Sequence, residues 1–89
     1  MTDGQLDTAI FDGEAARALL SNEVLMKALA ECERTATEKM ITALDVAVRE
    51  ENWYLTRAVR ELKAQLLKFA NSGTAAKETK AKRARNGQK

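Results

Sequence analysis

Apolar and small residues recur along the middle of the chain at helical intervals. Leu25, Leu29, Cys32, Ala36, Met40, Ala43 and Ala47 are separated by 4, 3, 4, 4, 3 and 4 positions. A mean step of about 3.7 residues keeps such a row on one face of a nearly straight α-helix. Met26, Ile41 and Leu44 widen the row on one side. A second row, Val48, Asn52, Leu55, Val59, Leu62, Leu66 and Phe69, alternates by 4 and 3 without a break. This is a heptad seam, with Leu55, Leu62 and Phe69 in one register and Asn52, Val59 and Leu66 in the other. The pattern predicts two long helices.

Boundary signals divide the rest. Asp12 is a suitable N-cap and Glu14 suits a positive helix terminus, which predicts a short helix over residues 15–20. Ser21 and Asn22 can cap the next helix, with Glu23 in its first turn. Lys68 falls in a last turn, and Asn71, Ser72 and Gly73 read as a stop. Between Ala43 and Val48 the phase of the apolar row changes, and Asp45 can cap a new helix. A tight αα-hairpin around residues 44–46 would let the two rows cover each other. The rival is one continuous helix of about fifty residues, which needs other chains to cover its seam. Globular helices average about 11–12 residues, which favours the hairpin.

The two ends carry little apolar surface. Residues 1–11 contain Gly4 and are expected to be flexible, although Leu6, Ile10 and Phe11 could dock on the helices or on a partner. Residues 74–89 are rich in Ala, Thr, Lys and Arg and hold no large apolar side chain, so a disordered basic tail is expected. The expected architecture is all-α: a flexible acidic segment 1–11, a helical domain 12–73 made of a hairpin with a short N-terminal helix, and a tail 74–89.

Size and composition bear on assembly. With the ends set aside, about sixty residues remain to build a core, and chains of that size bury only about 60% of their unfolded surface. The chain has one cysteine, Cys32, and no histidine, so neither an intrachain disulfide nor a usual zinc site is expected. A second copy is the expected source of the missing burial, making the chain a homo-oligomer. Cys32 sits within the apolar row, where a free cysteine usually acts as a small hydrophobe, and its neighbours Glu31 and Glu33 do not favour a reactive thiol. Asn52 can fix the register of a seam, or stay solvated near a helix start; the solvated reading is the simpler.

No reaction is legible. Histidine is the commonest acid–base residue near neutral pH, and the glycines Gly4, Gly13, Gly73 and Gly87 stand apart, so no phosphate-cradling loop is formed. A non-enzymatic protein is expected, with no cofactor, metal or small-molecule ligand. No apolar run approaches the length that spans a bilayer, and residues 1–10 carry no basic side chain of the kind a signal peptide needs. With a free cysteine, this suggests the cytoplasm.

The net charge of +2 conceals a gradient. Residues 1–23 carry Asp3, Asp7, Asp12, Glu14 and Glu23 against Arg17 alone, a net of −4. Residues 24–73 are nearly balanced, and residues 74–89 carry Lys77, Lys80, Lys82, Arg83, Arg85 and Lys89 against Glu78, a net of +5. Clustered cations neutralise phosphates and give sequence-independent affinity for nucleic acid, or they merely keep the end solvated. No aromatic residue interleaves them, so base stacking is not expected. Trp53 and Tyr54 lie beside the seam. Trp53 either widens the core against the short first helix or forms a contact surface for a protein partner, since tryptophan is enriched at interface hot spots. With Leu55, Val59, Leu62, Leu66 and Phe69, these aromatics are the candidate interface.

The run ARALLSNEVLMKALAECE, followed after a gap by REENWYLTRAVRELKAQLLKFANSG, resembles small helical proteins of the head and DNA-packaging gene clusters of tailed bacteriophages. The similarity covers about residues 14–73 and rests on the LL-x-N-x-V-L opening, the RE-E-N-W turn and the terminal N-S-G. The resemblance implies oligomerisation and a packaging or virion setting in the host cytoplasm, with a role like that of small terminase subunits compatible. The chain departs from many of those subunits in having no obvious N-terminal helix-turn-helix, which leaves only the basic tail for DNA contact.

Overall fold

The computed structural model describes residues 1–87. Among them the chain forms three helices: α1 (Asp3–Leu20), α2 (Glu23–Thr42) and α3 (Val46–Gly87). It is all-α, and α2 and α3 form the expected hairpin.

Each boundary has a local cause. Thr2 and Gln5 make a reciprocal capping box: the Gln5 amide donates to Thr2 Oγ1 at 3.1 Å, and the Thr2 amide donates to Gln5 Oε1 at 2.8 Å. This pair starts α1 at Asp3, nine residues ahead of the cap expected at Asp12. Residues 3–11, expected to lie outside the helices, are therefore helical. Asn22 caps α2 as predicted, its side chain accepting from the Leu25 amide at 2.9 Å. The break between α2 and α3 falls at residues 43–45. There the Ala43 amide donates to the Lys39 carbonyl at 2.9 Å, and Asp45 accepts from the Ala47 amide at 2.9 Å.

α3 does not stop at Asn71–Gly73. It continues to Gly87, so the segment expected to be a disordered tail is helical over residues 74–87. The reason lies in Gly73, which serves as a packing residue and not as a terminator.

The chain forms two compact units. In Ser21–Gln65, α2 packs on the first half of α3. Leu29 and Ala36 from α2 and Asn52, Thr56 and Val59 from α3 are buried. Asn52 is 7% exposed, which overturns its solvated reading; its amide donates to the Val48 carbonyl at 2.8 Å, so the buried polar group is satisfied. Thr56 Oγ1 likewise donates to the Asn52 carbonyl at 2.9 Å. Glu33 on α2 receives Arg60 at 2.8 Å and Lys63 at 3.2 Å from α3. Cys32 is exposed, not part of the buried row.

The other unit pairs Met1–Leu20 with α3 from Leu66 onward. Its core is made of small residues: Gly13 and Ala16 on α1, Ala70, Gly73 and Ala76 on α3. Leu6, 1% exposed, is the one large side chain fully buried among the described residues. The backbones nearly touch at the glycines. A Cβ on Gly13 would lie 2.7 Å from the Gly73 Cα and 2.9 Å from the Phe69 oxygen; one on Gly73 would lie 2.8 Å from the Gly13 Cα and 3.0 Å from the Ala9 oxygen. Only glycine permits that approach.

The buried row on α3 is displaced from the predicted seam. Asn52 and Val59 are buried and Leu66 is intermediate, but Thr56, Lys63 and Ala70 take the positions expected of Leu55, Leu62 and Phe69. Those three are 46–49% exposed. Thr56 and Ala70 are smaller than the residues whose place they take, Lys63 reaches Glu33 on α2, and the bulky register is turned to the flank.

Candidate interaction surfaces

Two of the flank residues, Leu55 and Phe69, line open grooves, each within its own unit. Leu55, with Cys32, Thr35 and Ala36, borders a groove of about 410 Å³. Phe69, with Thr8, Ala9 and Asp12, borders one of about 620 Å³. Phe69 and Leu66 also meet Ala15 and Leu19 at a smaller hollow of about 200 Å³. Leu55, Leu62 and Phe69 recur every seven residues on α3, the repeat by which a helix presents one edge to a partner helix.

Trp53 is 44% exposed, which disposes of the reading that buries it in a core. Tyr54 meets it edge to face, with ring centroids 5.0 Å apart at 75°. The Arg57 guanidinium lies 5.0 Å from the Trp53 ring centroid. Trp53 and Arg57 border a surface hollow with Arg60, Glu61 and Ala64. A cation against one face and a tyrosine at its edge restrict the indole before any partner arrives.

The basic residues of the C-terminal segment divide into two groups. Lys77 pairs with Glu14 at 2.8 Å, Lys80 with Asp7, and Arg83 with Asp3 at 3.2 Å. Arg83 also donates to the Met1 carbonyl at 2.9 Å. The Lys77 hydrogen bond and charge hold the Glu14 carboxyl below the usual glutamate range, with a smaller contribution from Arg17. The hydrogen bond and charge of Asp7 raise the Lys80 ammonium above its ordinary value, Asp3 adding to this. Glu33 is lowered by its hydrogen bonds from Arg60 and Lys63. Among the described residues, Lys82 and Arg85 make no ion pair. Lys89, also expected in the basic surface, lies outside the described residues.

The predicted interface residues thus occupy different surfaces. Val59 is core, Leu66 is half-buried, Leu55, Leu62 and Phe69 form the flank, and Trp53 and Tyr54 face elsewhere on α3. Of the residues able to dock from the N-terminal segment, Leu6 is buried and Phe11 exposed; sequence reasoning missed Gly13 and Gly73 as packing residues, and Asp3, Asp7 and Glu14 as partners of the basic segment. Signals for both were present: Thr2 and Gln5 at capping-box spacing, and the opposed charges of the two ends. Among the described residues no three potential metal ligands converge, and no helix is long and apolar enough to cross a membrane. No family model, curated protein or solved structure matches the chain.

Proposed function

We propose that this chain is a non-enzymatic, self-associating helical protein. Its basic C-terminal end contacts nucleic acid without sequence preference, in the phage-type assembly or packaging setting that its sequence resembles. The observation that carries the reading is the half-exposed register Leu55, Leu62 and Phe69 on α3. The folded chain buries few large side chains, chiefly Leu6, Leu29 and Val59, and leaves this regularly spaced apolar edge in water. Covering a large apolar side chain fully is worth about 1.5–3 kcal/mol, so a second copy laid on this edge gains stability by completing burial already half made. Lys82 and Arg85 supply cations without a carboxylate partner among the described residues, which supports the nucleic-acid part of the reading.

Sedimentation velocity across the micromolar range tests the assembly. The expected result is a mass that rises with concentration, and a monomer for Leu62→Asp, which places a charge on the apolar edge while leaving both buried cores intact. A parent chain that stays monomeric throughout would end the proposal. A second reading, a protein-binding adaptor, is favoured by the restrained and half-exposed Trp53. For that reading Trp53→Ala would abolish partner capture while leaving self-association unchanged.

A further inference from the structure

The acidic N-terminal and basic C-terminal ends of the chain are partners. α1 lies along the last turns of α3 with its carboxylates in antiparallel order: Glu14 to Lys77, Asp7 to Lys80, Asp3 to Arg83. The close Gly13–Gly73 contact seats the two helices at the head of this ladder. All six side chains remain about half exposed or more, from 47% for Arg83 to 79% for Asp3. Exposed pairs of this kind contribute little to stability and exchange readily for other anions.

We propose that α1 is a built-in competitor for the C-terminal cations, so that a polyanion gains Lys77, Lys80 and Arg83 only by displacing Glu14, Asp7 and Asp3. The inference rests on the nucleic-acid part of the function proposed above. Charge spacing argues that displacement can occur. At 1.5 Å per helical residue the three carboxylates are about 6 and 10 Å apart along α1. A DNA duplex offers one negative charge per about 1.7 Å of its axis. The duplex is the denser anion and wins where counterions are few, whereas α1 wins by proximity when the polyanion is dilute or short. Lys82 and Arg85 would make first contact, and release of the three α1 carboxylates, with the helix still seated at Gly13 and Leu6, would recruit three further cations. The device sets a threshold for binding.

The test compares variants of equal charge. Asp3→Asn/Asp7→Asn/Glu14→Gln removes the competitor and raises the net charge from +2 to +5. Glu23→Gln/Glu50→Gln/Glu51→Gln gives the same net charge from carboxylates that make no ion pair among the described residues. Binding to a labelled 25-base-pair duplex of arbitrary sequence is followed by fluorescence anisotropy across a salt series, with helicity checked by circular dichroism. The α1 variant is expected to bind about tenfold tighter than the parent at low salt, and the control no more than about threefold tighter. The single variant Asp7→Asn should lie between the parent and the triple variant, and it serves if the triple loses helicity. Equal tightening by the two triple variants would mean that net charge alone acts, and would overturn the competitor. So would a parent that binds and an α1 variant that binds no better. Absence of binding by every protein at the lowest salt would overturn the nucleic-acid reading itself, and this inference with it.

Discussion

In the unit of α2 and the first half of α3, the buried side chains include Leu29, Val59 and a satisfied polar pair, Asn52 and Thr56. Where α1 meets the second half, Gly13 and Gly73 bring the backbones almost together, and Leu6 and alanines make up the rest of the core. The first contact is stabilised by side-chain burial. The second rests on backbone proximity and many short-range atom pairs, each weak and collectively significant. Charge follows the same division. A single carboxylate, Glu33, gathers Arg60 and Lys63 in the first unit, whereas three successive pairs run along the surface of the second. A close glycine contact tolerates no added volume, while a contact built on larger side chains tolerates exchange among them.

The sharpest way to break the comparison is to add volume at the glycines. Gly13→Leu would drive a side chain into the Gly73 backbone and should cost about 3 kcal/mol or more, since neither backbone can yield as a side chain does. Hydrogen exchange should show α1 and the end of α3 losing protection while α2 keeps its own. Equal loss in both units would show that they do not pack independently. Removing volume should act in the reverse place: Leu29→Ala is expected to cost about 2–3 kcal/mol by thermal or denaturant melting, with its largest effect on α2.

A smaller effect is expected at Trp53. Truncation of a half-exposed side chain should cost under about 1 kcal/mol, against about 3–5 kcal/mol for a core tryptophan. A large fall in melting temperature for Trp53→Ala would return the residue to the core.

The smallest effect is the response to acid. Glu14 and Glu33 both have carboxyls held below the usual range by cations on the opposing helix, Lys77 for Glu14 and Arg60 with Lys63 for Glu33; Arg17 of α1 itself adds a little at Glu14. A depressed carboxylate contributes stability that is fully present above its unfolded value of about 4.3 and is lost as pH falls through the folded value. Both units should therefore weaken modestly below about pH 4. Glu14→Gln should remove the acid response of α1 alone, as read by hydrogen exchange. Lys80 acts at the other extreme, its raised value stabilising the pair until the pH exceeds the ordinary lysine range.

Most of the α2–α3 unit was legible because large apolar residues at intervals of three and four declare a buried face. Leu29, Ala36, Asn22 and Asp45 stand where that reasoning puts them, whereas Leu25 is half-buried and Cys32 and Ala47 of the same row are exposed. The α1 unit was largely illegible for the same reason: apart from Leu6 its core is glycine and alanine, which carry almost no hydropathy signal. Gly73 illustrates the ambiguity, since a glycine after Asn71 and Ser72 reads equally as a helix stop or as room for another helix. The choice depends on whether a complementary residue, here Gly13, lies opposite. The candidate surface divided likewise. The heptad of Leu55, Leu62 and Phe69 is plain in the chain, but which of its edges faces the neighbouring helix was decided by the smaller Thr56 and Ala70.

The sequence by itself determined the all-α class, the boundary between α1 and α2, the break between α2 and α3 and the segregation of charge between the two ends, because these depend on residues close together in the chain. The tertiary structure alone decided that the two ends meet, that Lys77, Lys80 and Arg83 are the cations α1 pairs with, and that the bulkiest register is left in water. Those outcomes depend on which residues, distant along the chain, are small enough to let two helices touch.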